Sequence, residues 1–262
     1  MYYTQLLRIT SGLKWLAIVL VALYAFIVAI SAANGAFHDG LHGTPDKDGV
    51  PLPVFFAIAG FVASFFASRY ARTLSEENES HLPVVWTKPV SRVGYALGII
   101  GVDALGIAAA FALTVAMLIV LFATFGAVRF IQISADTGPQ LLRFLALPFA
   151  YYGLMTALTA SFGKAGRGLI GWAWCASIAL MIFNAVGLPK PWSQVFAALD
   201  VVNPLAYGAY SHTSSHETVN IASGPHASAF TTLALASDIS ALLLLAIGGL
   251  VAGVLLWRRV EA

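Results

Sequence analysis

Apolar residues fall into six long runs, at 15–37, 53–68, 95–125, 141–162, 169–188 and 232–257, with polar stretches between them. A helix needs about 20 mostly apolar residues to cross the hydrocarbon of a bilayer, so each run predicts one membrane-spanning helix. The run at 53–68 is the shortest and is expected to continue as helix into the polar segment behind it. The run at 95–125 is long enough to tilt or project. The first run exceeds the usual core of a signal peptide and is expected to be retained. The fold expected is all-α: a polytopic membrane bundle of six transmembrane helices forming a single domain over 1–262.

Small residues recur at helix-packing spacing within several runs. Gly60, Ser64 and Ser68 stand four apart, as do Gly106 and Ala110, and Gly249 and Gly253. Such spacing lets helix backbones approach closely in lipid, where burial of apolar area supplies no driving force. It serves packing inside one bundle or across a dimer equally well.

Composition agrees with the pattern. Of 262 residues, 59% are apolar and 10% charged, and the mean hydropathy is +0.83; soluble domains carry roughly a quarter charged residues. A formal net charge of +2 gives no basis for binding nucleic acid. Cys175 is the one cysteine, which excludes an internal disulfide and a paired-cysteine metal site. Lys and Arg set the orientation. With the amino terminus in the cytoplasm, that side holds Arg8, Lys14, Arg69, Arg72, Lys88, Arg92, Lys164, Arg167, Arg258 and Arg259. The other side holds Lys47, Arg129, Arg143 and Lys190, which places both termini in the cytoplasm.

The polar stretches differ in character. Residues 1–14 group Tyr2, Tyr3, Leu6, Leu7 and Ile9 among polar positions, the pattern of an amphipathic interfacial helix. Residues 37–53 and 128–140 are outer loops rich in turn residues. The turn at 163–168, with Lys164 and Arg167, is tight and basic. The long outer segment 189–231 begins amphipathic, with possible re-entrant short helices, and ends as polar loop.

One polar stretch stands out. Residues 69–98 read RYARTLSEENESHLPVVWTKPVSRVGYALG, with Glu76, Glu77 and Glu79 within four positions and Lys88 and Arg92 after them. A short helix closed by Pro83, with acids near its start, sets negative charge where the helix dipole favours it. The order Glu79, Lys88-Pro89-Val90-Ser91-Arg92, Tyr95, Gly98 resembles the first cytoplasmic loop of type-2 ABC transporter permeases, the six-span membrane subunits of many bacterial exporters. Ile99 stands where that family commonly has Lys. The resemblance implies that 69–94 is a cytoplasmic coupling loop whose coupling helix seats in a separate ATPase subunit. Glu76, Glu77, Glu79, Lys88, Pro89, Ser91 and Arg92 would then contact that ATPase, together with Lys164 and Arg167. It also implies a second permease copy or homologue, a place in the bacterial cytoplasmic membrane, and ATP and Mg held by the partner. This chain lacks a phosphate-binding loop; the SFGKAG stretch at 161–166 has neither the spacing nor the hydroxyl. Hydrolysis would come from another polypeptide, and no cofactor is expected here. Aromatic and aliphatic spans with almost no charge suit export of an amphipathic or lipid-like cargo.

Asp103 is the strongest oddity inside a span. It lies eleven residues past Arg92, roughly 16 Å along a helix, and a carboxylate at the bilayer centre costs about 2.5–3.5 kcal/mol on insertion scales. Two readings stand: Asp103 lines a translocation path, or it faces the bundle and is satisfied by Ser, Thr or Tyr. Asp238 is expected near the outer interface. His212 and His216 have a spacing that on a helix would set both imidazoles on one face for a metal, but their Ser- and Thr-rich surroundings favour solvated loop histidines. Two other function classes fit the sequence less well. An ion-coupled secondary transporter would use Asp103 but lacks paired repeats. A membrane-embedded enzyme would need a nucleophile–base pair or metal ligands at depth, which the spans do not offer.

Overall fold

The computed structural model describes residues 2–33, 49–74, 76, 92–162, 166–186, 189, 191–208, 211–213, 218–220 and 232–259. Among these residues seven α-helices dominate: α1 (Tyr2–Ala33), α2 (Leu52–Tyr70), α3 (Arg92–Thr124), α4 (Thr137–Phe162), α5 (Gly166–Val186), α6 (Trp192–Asp200) and α7 (Thr232–Arg259). Short 3-10 turns occupy Val128–Phe130 and Pro204–Gly208. Two small strand pairs also occur among the described residues. β1 (Val50–Pro51) runs parallel to β2 (Ile131–Gln132), and β3 (Ser211–Thr213) runs antiparallel to β4 (Thr218–Asn220).

Local sequence explains the element ends. α2 starts behind Pro51 with Pro53 in its first turn, where a missing N–H costs nothing. α3 ends on Gly126, whose φ of 63° suits glycine. The Ala127 N–H returns to the Phe122 carbonyl and the Gly126 N–H to the Ala123 carbonyl, so the last carbonyls of α3 are capped.

Among the described residues, five helices are long and apolar enough to cross a membrane, within α1, α2, α3, α4 and α7; this is an integral-membrane architecture. The fifth expected span, 169–188, corresponds to α5, whose apolar stretch Gly168–Phe183 is shorter than the other five. α3 overshoots instead: its 33 residues measure about 50 Å against a hydrocarbon of about 30 Å. The interfacial helix expected over 1–14 is not a separate element, because Tyr2–Ala33 is one unbroken helix. Gly12 does not interrupt it; the Tyr70 hydroxyl fills the space beside Gly12, 3.0 Å from where a Cβ would stand.

Side-chain meetings fix the helix directions. Arg8 meets Asp103 and Tyr24 meets Thr124, so α1 and α3 are parallel. Gly60 lies against Phe144 and Ala71 against Thr159, so α2 and α4 are parallel. Arg143 meets Asp238 and Gly153 meets Gly249, so α4 and α7 are parallel. α2 opposes α3, since Phe55 touches Phe122 while Tyr70 touches Gly106. α5 opposes α4, with Gly166 at Thr159 and Trp174 stacked on Tyr151. Helices α1, α3 and α5 thus run one way and α2, α4 and α7 the other. The start of α1 and the end of α7 lie at the same end of the bundle.

The core lies between α2, α3 and α4, around Phe56, Ala63, Ile107, Phe111, Tyr151 and Met155. Its closest approaches use the small residues singled out in the sequence, and they act within this chain. Gly249 of α7 sits on the Gly153 backbone of α4, and Gly253 one turn later sits on Thr156. On α2, Gly60 faces the Phe144 carbonyl, to which a Cβ would come within 2.7 Å. Pro148 lies inside α4 and has no N–H to offer that carbonyl, so the glycine and the proline work as a pair.

Candidate functional site

The last turn of α2 is where the helices are tied together by polar contacts. Ser64 and Ser68 bond back to the carbonyls one turn earlier, at 2.8 and 2.9 Å, a pattern that keeps a hydroxyl satisfied in an apolar interior. Ser68 also accepts the Trp174 indole N–H from α5 at 2.9 Å. The Ala71 carbonyl accepts the Thr159 hydroxyl of α4 at 2.8 Å. Thr73 accepts a hydrogen bond from Arg8 of α1 and donates to the Tyr70 carbonyl at 2.6 Å.

Arg8 is the centre of this cluster. Its guanidinium forms an ion pair with Asp103 of α3 and lies 5.5 Å from the centre of the Tyr70 ring. Tyr152 of α4 donates its hydroxyl hydrogen to the second Asp103 oxygen at 2.8 Å. Asp103 is fully buried, so both carboxylate oxygens are satisfied inside the bundle. Tyr152 is the hydroxyl partner that one of the two sequence readings requires; Arg8 is a partner that sequence did not suggest. Arg8 is also the third residue of the apolar stretch Leu6–Ser31. Asp103 therefore sits level with the beginning of α1, not at the middle of the bundle as its position along α3 implied.

Two cavities open along the groove between α2 and α5. The first, of about 630 Å³, is lined by Arg8, Arg69, Arg72 and Glu76 and walled by Phe65 and Trp174. The second, of about 490 Å³, is apolar and lies toward the other end, lined by residues such as Ile58, Phe61, Met181 and Ile182. An aromatic stack stands between them. Phe65 and Tyr151 lie nearly parallel to opposite sides of Trp174, at 4.4 and 4.7 Å, and Phe61 meets it edge-on at 5.7 Å. Asp103 lines neither cavity.

A second buried polar cluster holds the opposite end. Arg143 of α4 and Asp238 of α7 form an ion pair at 3.0 Å, both almost fully buried. Nearby, Asn203 bonds the Ser177 carbonyl at 3.1 Å and Asp200 at 2.8 Å. Tyr207 donates to the Val201 carbonyl at 2.8 Å. Burial, helped by the charges of Asp238 and Asp200, raises the Tyr207 hydroxyl above its ordinary pKa and keeps it a donor. The amphipathic start of the outer segment is thus α6 followed by the 3-10 turn Pro204–Gly208, with Leu205 and Tyr207 buried against the bundle. Sequence counted Arg143 only as an outer charge. The available signal was one cation and one anion standing alone in two different apolar runs.

The acidic segment is described only at its edges. Glu76 is exposed and helical; Glu77, Glu79, Lys88, Pro89, Ser91 and Lys164 lie outside the described residues. Arg92 opens α3 and Arg167 lies in the first turn of α5, both at the Arg8 end of the bundle, with their side chains outside the description. His212 is in strand β3, not on a helix, so the one-face argument for a metal does not apply to it, and His216 falls outside the described residues. Among the described residues, no cluster of three or more potential metal ligands occurs. Comparison of the chain with protein-family models, curated proteins and solved structures gives no match.

Proposed function

We propose that this chain is the membrane-spanning permease subunit of an ABC transporter, paired with a second permease and driven by a separate ATPase subunit that holds ATP and Mg. The supporting observation is the anchorage of α2. Its last turn and the residues just after it are bonded to α5, α4 and α1 at once, through Ser68, Ala71 and Thr73. A force carried by the acidic segment would enter the bundle at Thr73, Ala71 and Ser68, the points where α1, α4 and α5 are held. Coupling between distant sites needs such a contiguous packed connection.

In this reading α5 counts as a sixth span, and the turn carrying Lys164 and Arg167 faces the same ATPase. The cavities between α2 and α5 are then better path linings than Asp103, whose carboxylate is occupied by Arg8 and Tyr152. The apolar walls of the second cavity suit export of an amphipathic cargo. The test asks whether the neighbouring reading frame encodes a soluble ATPase and, with that protein, compares copurification of wild type and E76A/E77A/E79A. The triple variant is expected to lose stable association or cargo-stimulated hydrolysis. Normal complex and normal stimulation would remove the acidic segment from the mechanism.

A further inference from the structure

We infer that the cavity carrying Arg8, Arg69 and Arg72 binds the phosphate headgroup of an anionic membrane amphiphile, with its apolar part lying along the exposed face of α2 and α5. This rests on the membrane placement of the chain and not on the ATPase reading.

Charge gives the first reason. Among the described residues, Arg8, Arg69 and Arg72 line the cavity together with one acid, Glu76. Planar guanidinium groups bind phosphate oxygens through paired hydrogen bonds. Arg8 is also held in place from behind, by Asp103, Thr73 and the Tyr70 ring. A donor positioned in advance loses less freedom when a ligand arrives.

Level gives the second reason. Arg69 is in the last turn of α2 and Arg8 is near the start of the apolar stretch of α1. The cavity therefore lies at headgroup height, where basic pockets between spans bind anionic lipid headgroups. Its volume of about 630 Å³ falls within the ordinary range of small-molecule sites. The cavity is continuous in surface character with an apolar flank: Phe65, Phe61 and Ile58 are exposed along α2, and Trp172, Ile178 and Ile182 along α5. A free phosphate would use the guanidinium groups but leave that flank bare. An amphiphile uses both.

Gly171 supplies a clean test. It lines the cavity, and a Cβ added there meets nothing within 4 Å. G171L therefore adds apolar bulk at the cavity wall from a position where the first added carbon meets no clash. Wild type, G171L and R69Q/R72Q would be placed in phosphatidylcholine nanodiscs with graded phosphatidylglycerol, and retained phosphatidylglycerol counted by native mass spectrometry. R129Q, which removes a cation from the other end of the bundle, is the charge control. Wild type and R129Q are expected to retain phosphatidylglycerol equally. G171L and R69Q/R72Q should each bind about tenfold more weakly or worse, the loss expected of one or more charge-assisted contacts. R69Q alone, at an exposed position, keeps the test open if the double variant fails to fold. Three outcomes would overturn the inference: equal retention in all variants, equal retention of phosphatidylcholine and phosphatidylglycerol by wild type, or displacement of bound phosphatidylglycerol by inorganic phosphate at matched concentration.

Discussion

Arg143 on α4 and Asp238 on α7 face each other at 3.0 Å, with 2% and 6% of their side chains exposed. Each would be costly alone inside an apolar bundle; together they lock the register of two parallel helices. Below them the same pair of helices closes on Gly153 and Gly249, whose backbones nearly touch. The polar lock and the glycine contact require the same alignment, so each constrains the other.

Removing one partner should therefore cost more than removing both. D238N or R143Q alone is expected to destabilise by about 3–5 kcal/mol, the usual penalty for an orphaned buried charge. R143L/D238L should cost clearly less than the sum of R143L and D238L. Thermal unfolding in detergent across this double-mutant cycle measures the coupling, and strict additivity would mean that the two side chains do not interact.

At the other end, Tyr152 and Arg8 both serve Asp103. Y152F removes one hydrogen bond to a carboxylate and should cost about 1.5–3 kcal/mol. D103N leaves Arg8 without its counter-charge and should cost more. The same thermal unfolding measurement ranks the two, and a Y152F loss exceeding that of D103N would contradict the arrangement.

Adjacent glycines on α7 give a matched pair. A Cβ on Gly248 meets nothing within 4 Å, whereas one on Gly249 would come 2.6 Å from the Gly153 carbonyl oxygen. G248A should be neutral or stabilising by up to about 1 kcal/mol, the helix propensity gained over glycine. G249A must push two backbones apart and should lower the melting temperature. Equal effects would argue that α4 and α7 do not pack as closely as described.

Helix direction can be read by labelling. In a C175A background, E76C and S134C mark opposite ends of the bundle, since Glu76 follows α2 and Ser134 precedes α4. A membrane-impermeant maleimide applied to sealed vesicles of one orientation should label one and spare the other. The positive-inside bias predicts Glu76 on the cytoplasmic side. Labelling of both from one face would break the alternating arrangement.

Much of the bundle was legible beforehand because a span is a local property. The predicted run at 53–68 became α2 at Leu52–Tyr70, and 232–257 became α7 at Thr232–Arg259. The small-residue spacings were visible as well, although not their partners. Gly60 needs Phe144 and Pro148, and Gly249 needs Gly153; each pairing depends on which helix becomes the neighbour. The placement of Asp103 was misjudged for the same reason. Counting residues along α3 gives a distance from Arg92, but α3 overshoots the bilayer, and only Arg8 reveals the level at which the carboxylate sits.

The order of apolar runs, the one-sided distribution of Lys and Arg and the scarcity of charge determined a helical chain built for lipid, because each follows from the transfer cost of short segments taken one at a time. Tertiary structure alone decided that Asp103 answers Arg8, that Arg143 answers Asp238, and that α2 and α5 leave a basic cavity beside an apolar one. Those features join residues far apart in the chain: 95 positions separate Arg8 from Asp103, and 106 separate Ser68 from Trp174. A lone charge in an apolar run signals that a partner is needed, but which partner it takes is settled only when the helices choose their neighbours.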